Sequence, residues 1–407
     1  MIKNIYTHTL ENGLRVIHRQ FPSEISYCGI AVNTGSRDEY THEWGMAHFV
    51  EHMLFKGTKR RKAHHISNRM ENVGGDLNAF TTKEETFIYS TFLKEYFPRA
   101  VELLGDIIFN SEFPQIQINR EREVVLDEID SYDDNPSELI YDDFENLMFS
   151  GHDIGHYILG EPHTLNSFNS DNVNSFVNRQ YQTSKMVFFS FGKTPFSKVL
   201  KLTEKYFNIK QESVEAKNRV APIITTPVTR IIEKNTTQTH VVLGWNKYNM
   251  YHPDRYVVYL LNSILGGGSL NSRLSRSLRE KNGLVYNIES NTSLYSDTGF
   301  YSIYFACDPK NRDKCLRLIK KELKGIMEKE LTPMQLTVAK RQWKGQLGIS
   351  AEMNENNALS MAKNYLHHKR FIDLEEVFSK VDAISAEQIK SVANELFSSE
   401  PFELIYK

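Results

Sequence analysis

The sequence predicts an α+β protein of two related halves, and three observations carry that prediction. The 407 residues are more than one hydrophobic core holds, because chains past roughly 250–300 residues divide into domains. Strand-like alternation and helix-period segments are interleaved along the whole chain, the pattern of sheets covered by helices. The order of elements in the first part also recurs in the second, which points to an internal duplication of about 200 residues.

In the first half, 1–210, Tyr6 to Leu10 and Leu14 to His18 alternate as strands around Glu11-Asn12-Gly13, and Asn-Gly is a strong hairpin signal. A strand over Tyr27–Val32 comes next. Thr41 is placed to cap a helix running through Met46, Phe49, Val50, Met53 and Leu54, with Gly57 as its stop. A second helix near His65–Val73 precedes Gly74-Gly75, Asp76–Phe92 alternates as two strands, and Pro98–Ile108 reads as helix. A highly charged helix spans Gln117–Tyr132, closed by Asn135-Pro136, and Val187–Gly192 is the last strand. Residues 211–227 have weak periodicity and two prolines and read as a linker. The second half, 228–407, begins with a strand pair, Arg230–Lys234 and His240–Trp245. A helix over Asp254–Leu265 ends at Gly266-Gly267-Gly268, so that Asp254–Gly267 corresponds to Trp44–Gly57. A helix over Ser272–Lys281, strands through Tyr286–Phe305 and further helices complete it.

Composition removes several function classes. Lys plus Arg number 49 against 51 Asp plus Glu, a formal charge of −2, where a nucleic-acid binder carries a basic excess. Lys59-Arg60-Arg61-Lys62 reads as a solvated turn. Three cysteines without CxxC spacing offer neither a disulfide framework nor a cysteine zinc site. No run approaches the roughly 20 apolar residues that cross a bilayer, and nothing behind Met1 has the length of a signal peptide, so the expectation is a cytoplasmic protein that meets no membrane. The triple glycine is not followed by Lys-Ser/Thr and is no P-loop.

The chemistry concentrates in His48-Phe49-Val50-Glu51-His52. On a helix, positions i and i+4 project from one face a turn apart, so two imidazoles can meet one ion. Glu51, three residues after His48, shares that face and can reach a water on the ion without ligating it. Zinc so held acidifies its water to a pKa of roughly 7, and a neighbouring carboxylate then moves the proton to the leaving amine. The bland alternative is a helix with two histidines and an acid on its polar face. Catalytic zinc takes three protein ligands plus water. The charged helix Asn119–Ile129 offers carboxylates beside an apolar strip, although spacing alone does not separate Glu128 from Asp127 or Glu123, and most charge runs are merely solvated.

The run His48–Thr58 resembles the signature of the pitrilysin-type metallopeptidases, a family that includes the mitochondrial processing peptidases and insulin-degrading enzyme. The third-ligand glutamate there lies about 76 positions after the second histidine, which here is Glu128. The resemblance implies Glu128 as ligand, Glu121 as a carboxylate that orients a ligating histidine, and one zinc per chain. Gly74-Gly75-Asp76-Leu77-Asn78-Ala79-Phe80-Thr81 resembles the family's substrate-binding edge strand, where a peptide adds by strand pairing along Asn78 and Ala79. Leu278–Tyr286 is similar to the C-terminal signature and implies Arg279 and Tyr286 as stabilisers of the oxyanion.

The expectation is therefore a clam-shell of two halves enclosing a chamber, a zinc metalloendopeptidase acting on peptides or unfolded segments. The second half should lack the metal: with Leu54 set against Ile264, His48 falls on Val258, Glu51 on Leu261 and His52 on Asn262. The short members of the family imply a homodimer, or a heterodimer with a related chain. His152 and His156 are expected to serve a loop rather than a second metal. The alternatives are a non-catalytic subunit beside an active partner and a zinc hydrolase of non-peptide amides, with manganese or cobalt as other occupants of the site.

Overall fold

A computed structural model describes residues 4–211, 214–223 and 225–407. Residues 212, 213 and 224 of the expected linker therefore lie outside the described residues. Eleven strands among the described residues form two sheets: β1 (Ile5–Thr9), β2 (Arg15–Gln20), β3 (Ile25–Val32), β4 (Asp76–Thr81), β5 (Thr86–Leu93) and β6 (Met186–Gly192) in the first, β7 (Thr229–Ile232), β8 (Thr239–Asn246), β9 (Val285–Leu294), β10 (Gly299–Cys307) and β11 (Phe402–Tyr406) in the second. Their orders are β1-β2-β6-β3-β5-β4 and β7-β11-β8-β10-β9. Setting β1 aside, the two read alike. Each has one parallel pair, β2 with β6 and β7 with β11, and each ends on a hairpin strand, β4 or β9. The duplication expected from the sequence is thus present in the topology.

The strands fold this way because their side chains alternate across a pleat with helices on both faces. One face of the first sheet, with Val16, Cys28, Ile30, Ile88 and Phe188, is buried under α1 (Met46–Met53), α2 (Ala63–Glu71) and α3 (Phe97–Asn110). The other face, with Ile17, Ala31, Phe87, Val187 and Phe189, packs against Ala358, Met361, Ala362 and Leu366 of the helix Asn354–His368. In the second sheet Val242, Phe300, Tyr304 and Leu404 lie against Ile140, Phe144, Leu147 and Met148 of α5 (Pro136–Met148), which follows α4 (Gln115–Asp133).

Each sheet is therefore covered on one face by a helix from the other half of the sequence. The chain forms two compact units, one of residues 1–130, 156–219 and 350–372, the other of 131–155, 220–349 and 373–407. The contiguous division at 1–210 and 228–407 does not contain this exchange of 131–155 and 350–372, since a covering helix leaves no local mark of which sheet it covers.

Two local expectations are corrected. Thr41 does not cap the motif helix α1. It starts a single 3-10 turn, Thr41–Glu43, and α1 begins only at Met46, after Gly45 at φ 94°. The expected pairing of Arg230–Lys234 with His240–Trp245 is also absent, because the C-terminal β11 inserts between β7 and β8 and pairs with both.

Candidate metal centre

Helix α1 carries both histidines of the sequence motif, and a buried carboxylate just upstream builds its start. Gly45 adopts a left-handed conformation that L side chains rarely take, and a Cβ there would meet Leu159 O at 2.7 Å. The turn aims two amides of the helix start, Gly45 N and Ala47 N, at the Glu39 carboxylate, at 2.9 and 2.7 Å. Glu39 thereby satisfies donors that a helix start leaves orphaned. His156 Nε2 reaches the same carboxylate at 2.8 Å and stacks on Trp44. His156 thus has a loop role, as expected, and a definite one. His152, in the other unit, bonds Val220 O through Nε2 at 2.9 Å.

With α1 fixed, the rings of His48 and His52 lie 4.6 Å apart, edge on. Glu128, on α4, faces them: its two oxygens stand 3.8 Å from His48 Nε2 and 3.7 Å from His52 Nε2. Ligand atoms of the three residues all lie within 4.8 Å of one another, and they are the only such group among the described residues. Donors held at about 2.0–2.2 Å from a tetrahedral zinc stand about 3.3–3.6 Å apart. Two nitrogens and a carboxylate at these separations fit zinc after a small inward adjustment. The alternatives Asp127 and Glu123 on the same helix do not join the group.

The surroundings favour a neutral His48 and hold the His52 ring turned by its Nδ1. Burial holds the His48 imidazolium form down, to a pKa of about 3, and the nearby His52 adds to the effect. His52 is also penalised by burial, but its Nδ1 lies 2.8 Å from Glu121 Oε1, and this bond and charge raise its pKa overall. A proton on Nδ1 leaves Nε2 as the free lone pair facing Glu128, which is how an outer carboxylate sets a ligand's tautomer. Burial opposes the Glu121 charge, yet hydrogen bonds from His52 and from Lys56, whose Nζ is 2.6 Å from Oε2, hold its pKa below the usual value.

Glu51 points into the same site without entering the ligand group. Burial raises its pKa, and a hydrogen bond from Thr81 Oγ1 to Oε2 at 2.5 Å works in the opposite direction. Sequence reasoning placed Thr81 in the edge-strand motif but gave it no role, and it missed Glu39 and Lys56. Glu39 carried no signal, being 117 positions from its partner His156.

Asn78 and Ala79 lie on β4, the outermost strand of its sheet, paired on one side with Tyr89 and Ile88 of β5. Arg279 and Tyr286 belong to the other unit. The Arg279 guanidinium sits 5.4 Å over the Tyr286 ring, and Tyr286, at the start of β9, is 81% exposed. The second-half counterparts of His48 and Glu51 are Val258 and Leu261, both buried, and that of His52 is Asn262; that half offers no metal group among the described residues.

Known proteins resemble this chain over most of its length. Residues 15–161 match the family described as Insulinase (Peptidase family M16), and residues 167–343 match its Peptidase M16 inactive domain. The chain is 32% identical over 402 residues to an uncharacterized zinc protease of Bacillus subtilis, covering 97% of this chain and 96% of that one. It is 32% identical over 400 residues to an uncharacterized zinc protease of Rickettsia felis, covering 98% and 96%. In fold it is similar to the crystal structure of a protease from Helicobacter pylori, with a TM-score of 0.91, 21% identity and full coverage of both chains. The same TM-score relates it to a peptidase M16 inactive domain from Pseudomonas fluorescens, at 19% identity, covering 99% of this chain and 97% of that one. With its motif on α1 and two sheets of matching order, this chain belongs to the insulinase-type peptidase family.

Proposed function

We propose that this protein is a zinc metalloendopeptidase that hydrolyses peptides or unfolded segments. The observation that carries the reading is the convergence of His48, His52 and Glu128 from two helices, with Glu51 beside them and outside the ligand group. His48, His52 and Glu128 would hold one zinc per chain. Zinc bound there supplies Lewis acidity toward the scissile carbonyl and lowers the pKa of water.

The remaining work belongs to the chain's own groups. Glu51 takes the proton of the attacking water and returns it to the leaving amine, a task suited to a carboxylate whose pKa is raised by burial. Glu121 keeps the His52 ring turned. The free edge of β4 supports recognition by strand addition: a peptide along Asn78 and Ala79 makes main-chain bonds and so is read by shape more than by sequence. Arg279 and Tyr286 are the proposed donors to the developing oxyanion. A homodimer, or a heterodimer with a related chain, in the cytoplasm completes the reading. Among the described residues no helix is long and apolar enough to cross a membrane.

The test is zinc content per chain, measured alongside cleavage of a quenched fluorescent peptide before and after a chelator. One zinc with chelator-sensitive cleavage is the expected result. Absence of both zinc and cleavage would overturn the reading in favour of a non-catalytic subunit.

A further inference from the structure

The general base is tied to the strand that forms the proposed substrate edge. Thr81 Oγ1 lies 2.5 Å from Glu51 Oε2 and 3.5 Å from Thr86 Oγ1. Thr86, fully buried, donates its one hydroxyl hydrogen to Thr34 O at 2.9 Å. A hydroxyl has a single hydrogen to give. That of Thr86 is already committed, so Thr81 is the donor in either of its contacts, and the ångström of difference assigns its hydrogen to Glu51. Oε2 is thereby an acceptor in a short, charge-assisted bond.

Thr81 itself has little freedom. It pairs with Thr86 in the last register position before the turn Thr82–Glu85. That turn is clasped on three sides: Lys83 Nζ bonds His156 O at 2.5 Å, Arg37 bonds Glu84 at 2.6 Å, and His367 Nε2 lies 2.5 Å from Glu85 Oε1. The side chain is β-branched, which restricts its χ1. Asn78 and Ala79 lie on the same strand, three and two residues before Thr81.

We infer that Thr81 is a positioning residue for the general base: its hydroxyl holds Glu51 Oε2, so that Oε1 is the oxygen that takes the proton, and it couples the base to the strand on which substrate would pair. The inference rests on the peptidase reading and names a residue which that reading does not contain. Loss of the hydroxyl leaves the carboxylate free to rotate, and misplacement of a reacting group by about an ångström costs on the order of 100-fold in rate.

The experiment compares Thr81→Val and Thr81→Ser in the full chain. Thr81→Val is expected to keep one zinc per chain and a KM within about twofold of wild type, while kcat falls on the order of 10- to 100-fold. Thr81→Ser, which restores the donor, is expected to recover most of kcat. Crystal structures of Thr81→Val should show the Glu51 carboxylate displaced or in several orientations. Wild-type kcat in Thr81→Val, or a serine variant no better than valine, would overturn the inference, as would a Glu51 that stays in place without the hydroxyl. A wild type that binds zinc but cleaves nothing would instead sink the peptidase reading, and the place of Glu51 in the valine variant would still decide whether Thr81 holds it.

Discussion

Two carboxylates of the first unit carry opposite burdens, and each can be read through substitution. In the proposed reaction Glu51 accepts a proton, which an amide cannot do. Glu51→Gln is therefore expected to bind one zinc per chain, by metal analysis, and to show no measurable peptide cleavage; loss of zinc in that variant would argue that Glu51 ligates. Glu85 is a structural counterpart. It is buried, yet bonds and charges from His367, Lys363 and Thr82 outweigh that burial and pull its pKa down to about 2. Between pH 2 and 4.5 the unfolded chain binds the proton that the folded one refuses, so stability falls as pH falls through that window. Above pH 4.5 the contribution is complete, about 3 kcal/mol for a shift of this size. Glu85→Gln should consequently lower the unfolding free energy at pH 7 by up to that amount, with the gap to wild type narrowing toward pH 3 in urea titrations. Which residues matter was unevenly legible at this scale. His48, Glu51 and His52 announce themselves because five consecutive residues fix their geometry once a helix is granted. Glu128 and Glu121 needed the resemblance, since every carboxylate on a charged helix looks alike until the helix is docked. Thr81 was in plain sight, but nothing in a strand's alternation says which hydroxyl meets an acid 30 positions away.

At the scale of elements, the helix that carries the motif is short, eight residues, and such a helix is marginal by itself. Its start is secured by Glu39, a fully buried carboxylate that takes two backbone hydrogens and faces His156. Glu39→Ala should destabilise the fold by about 1–3 kcal/mol, the cost of orphaned buried donors, and weaken zinc retention in a competition titration with a chelator. A variant with unchanged unfolding midpoint and zinc affinity would show that α1 needs no such support. The sequence placed the helix well and its start badly. Thr41 has the right residue type for a cap, but Gly45 turns left-handed and restarts the chain, and a cap made from six residues upstream by a glutamate follows no local pattern. The strand pair at the start of the second half failed for a related reason. β7 and β8 are neighbours in sequence, yet the edge they would share is filled by β11 from the end of the chain, and hairpin logic is blind to a strand that arrives about 150 residues later.

For the molecule as a whole, duplication and division of labour go together. Both sheets follow one plan, and the positions of His48, Glu51 and His52 in the first half are occupied in the second by Val258, Leu261 and Asn262. If the second half takes part in the reaction through Arg279, then Arg279→Ala should reduce kcat by about 100- to 1,000-fold, the cost of one oxyanion donor, and leave zinc content unchanged. Full activity in that variant would remove Arg279 from the mechanism. The two-half plan was legible because interleaved strands and helices repeat in order. The exchange of α5 and of the helix Asn354–His368 was not, because an amphipathic helix records that it must be covered and never by which sheet. That exchange has a consequence for synthesis. The first unit takes in residues up to 372 of 407, so when the ribosome has delivered both histidines, Glu128 and every strand of the first sheet, one sheet face still exposes Ile17, Phe87, Val187 and Phe189. The nascent chain must carry that greasy surface until about nine tenths of it has been made.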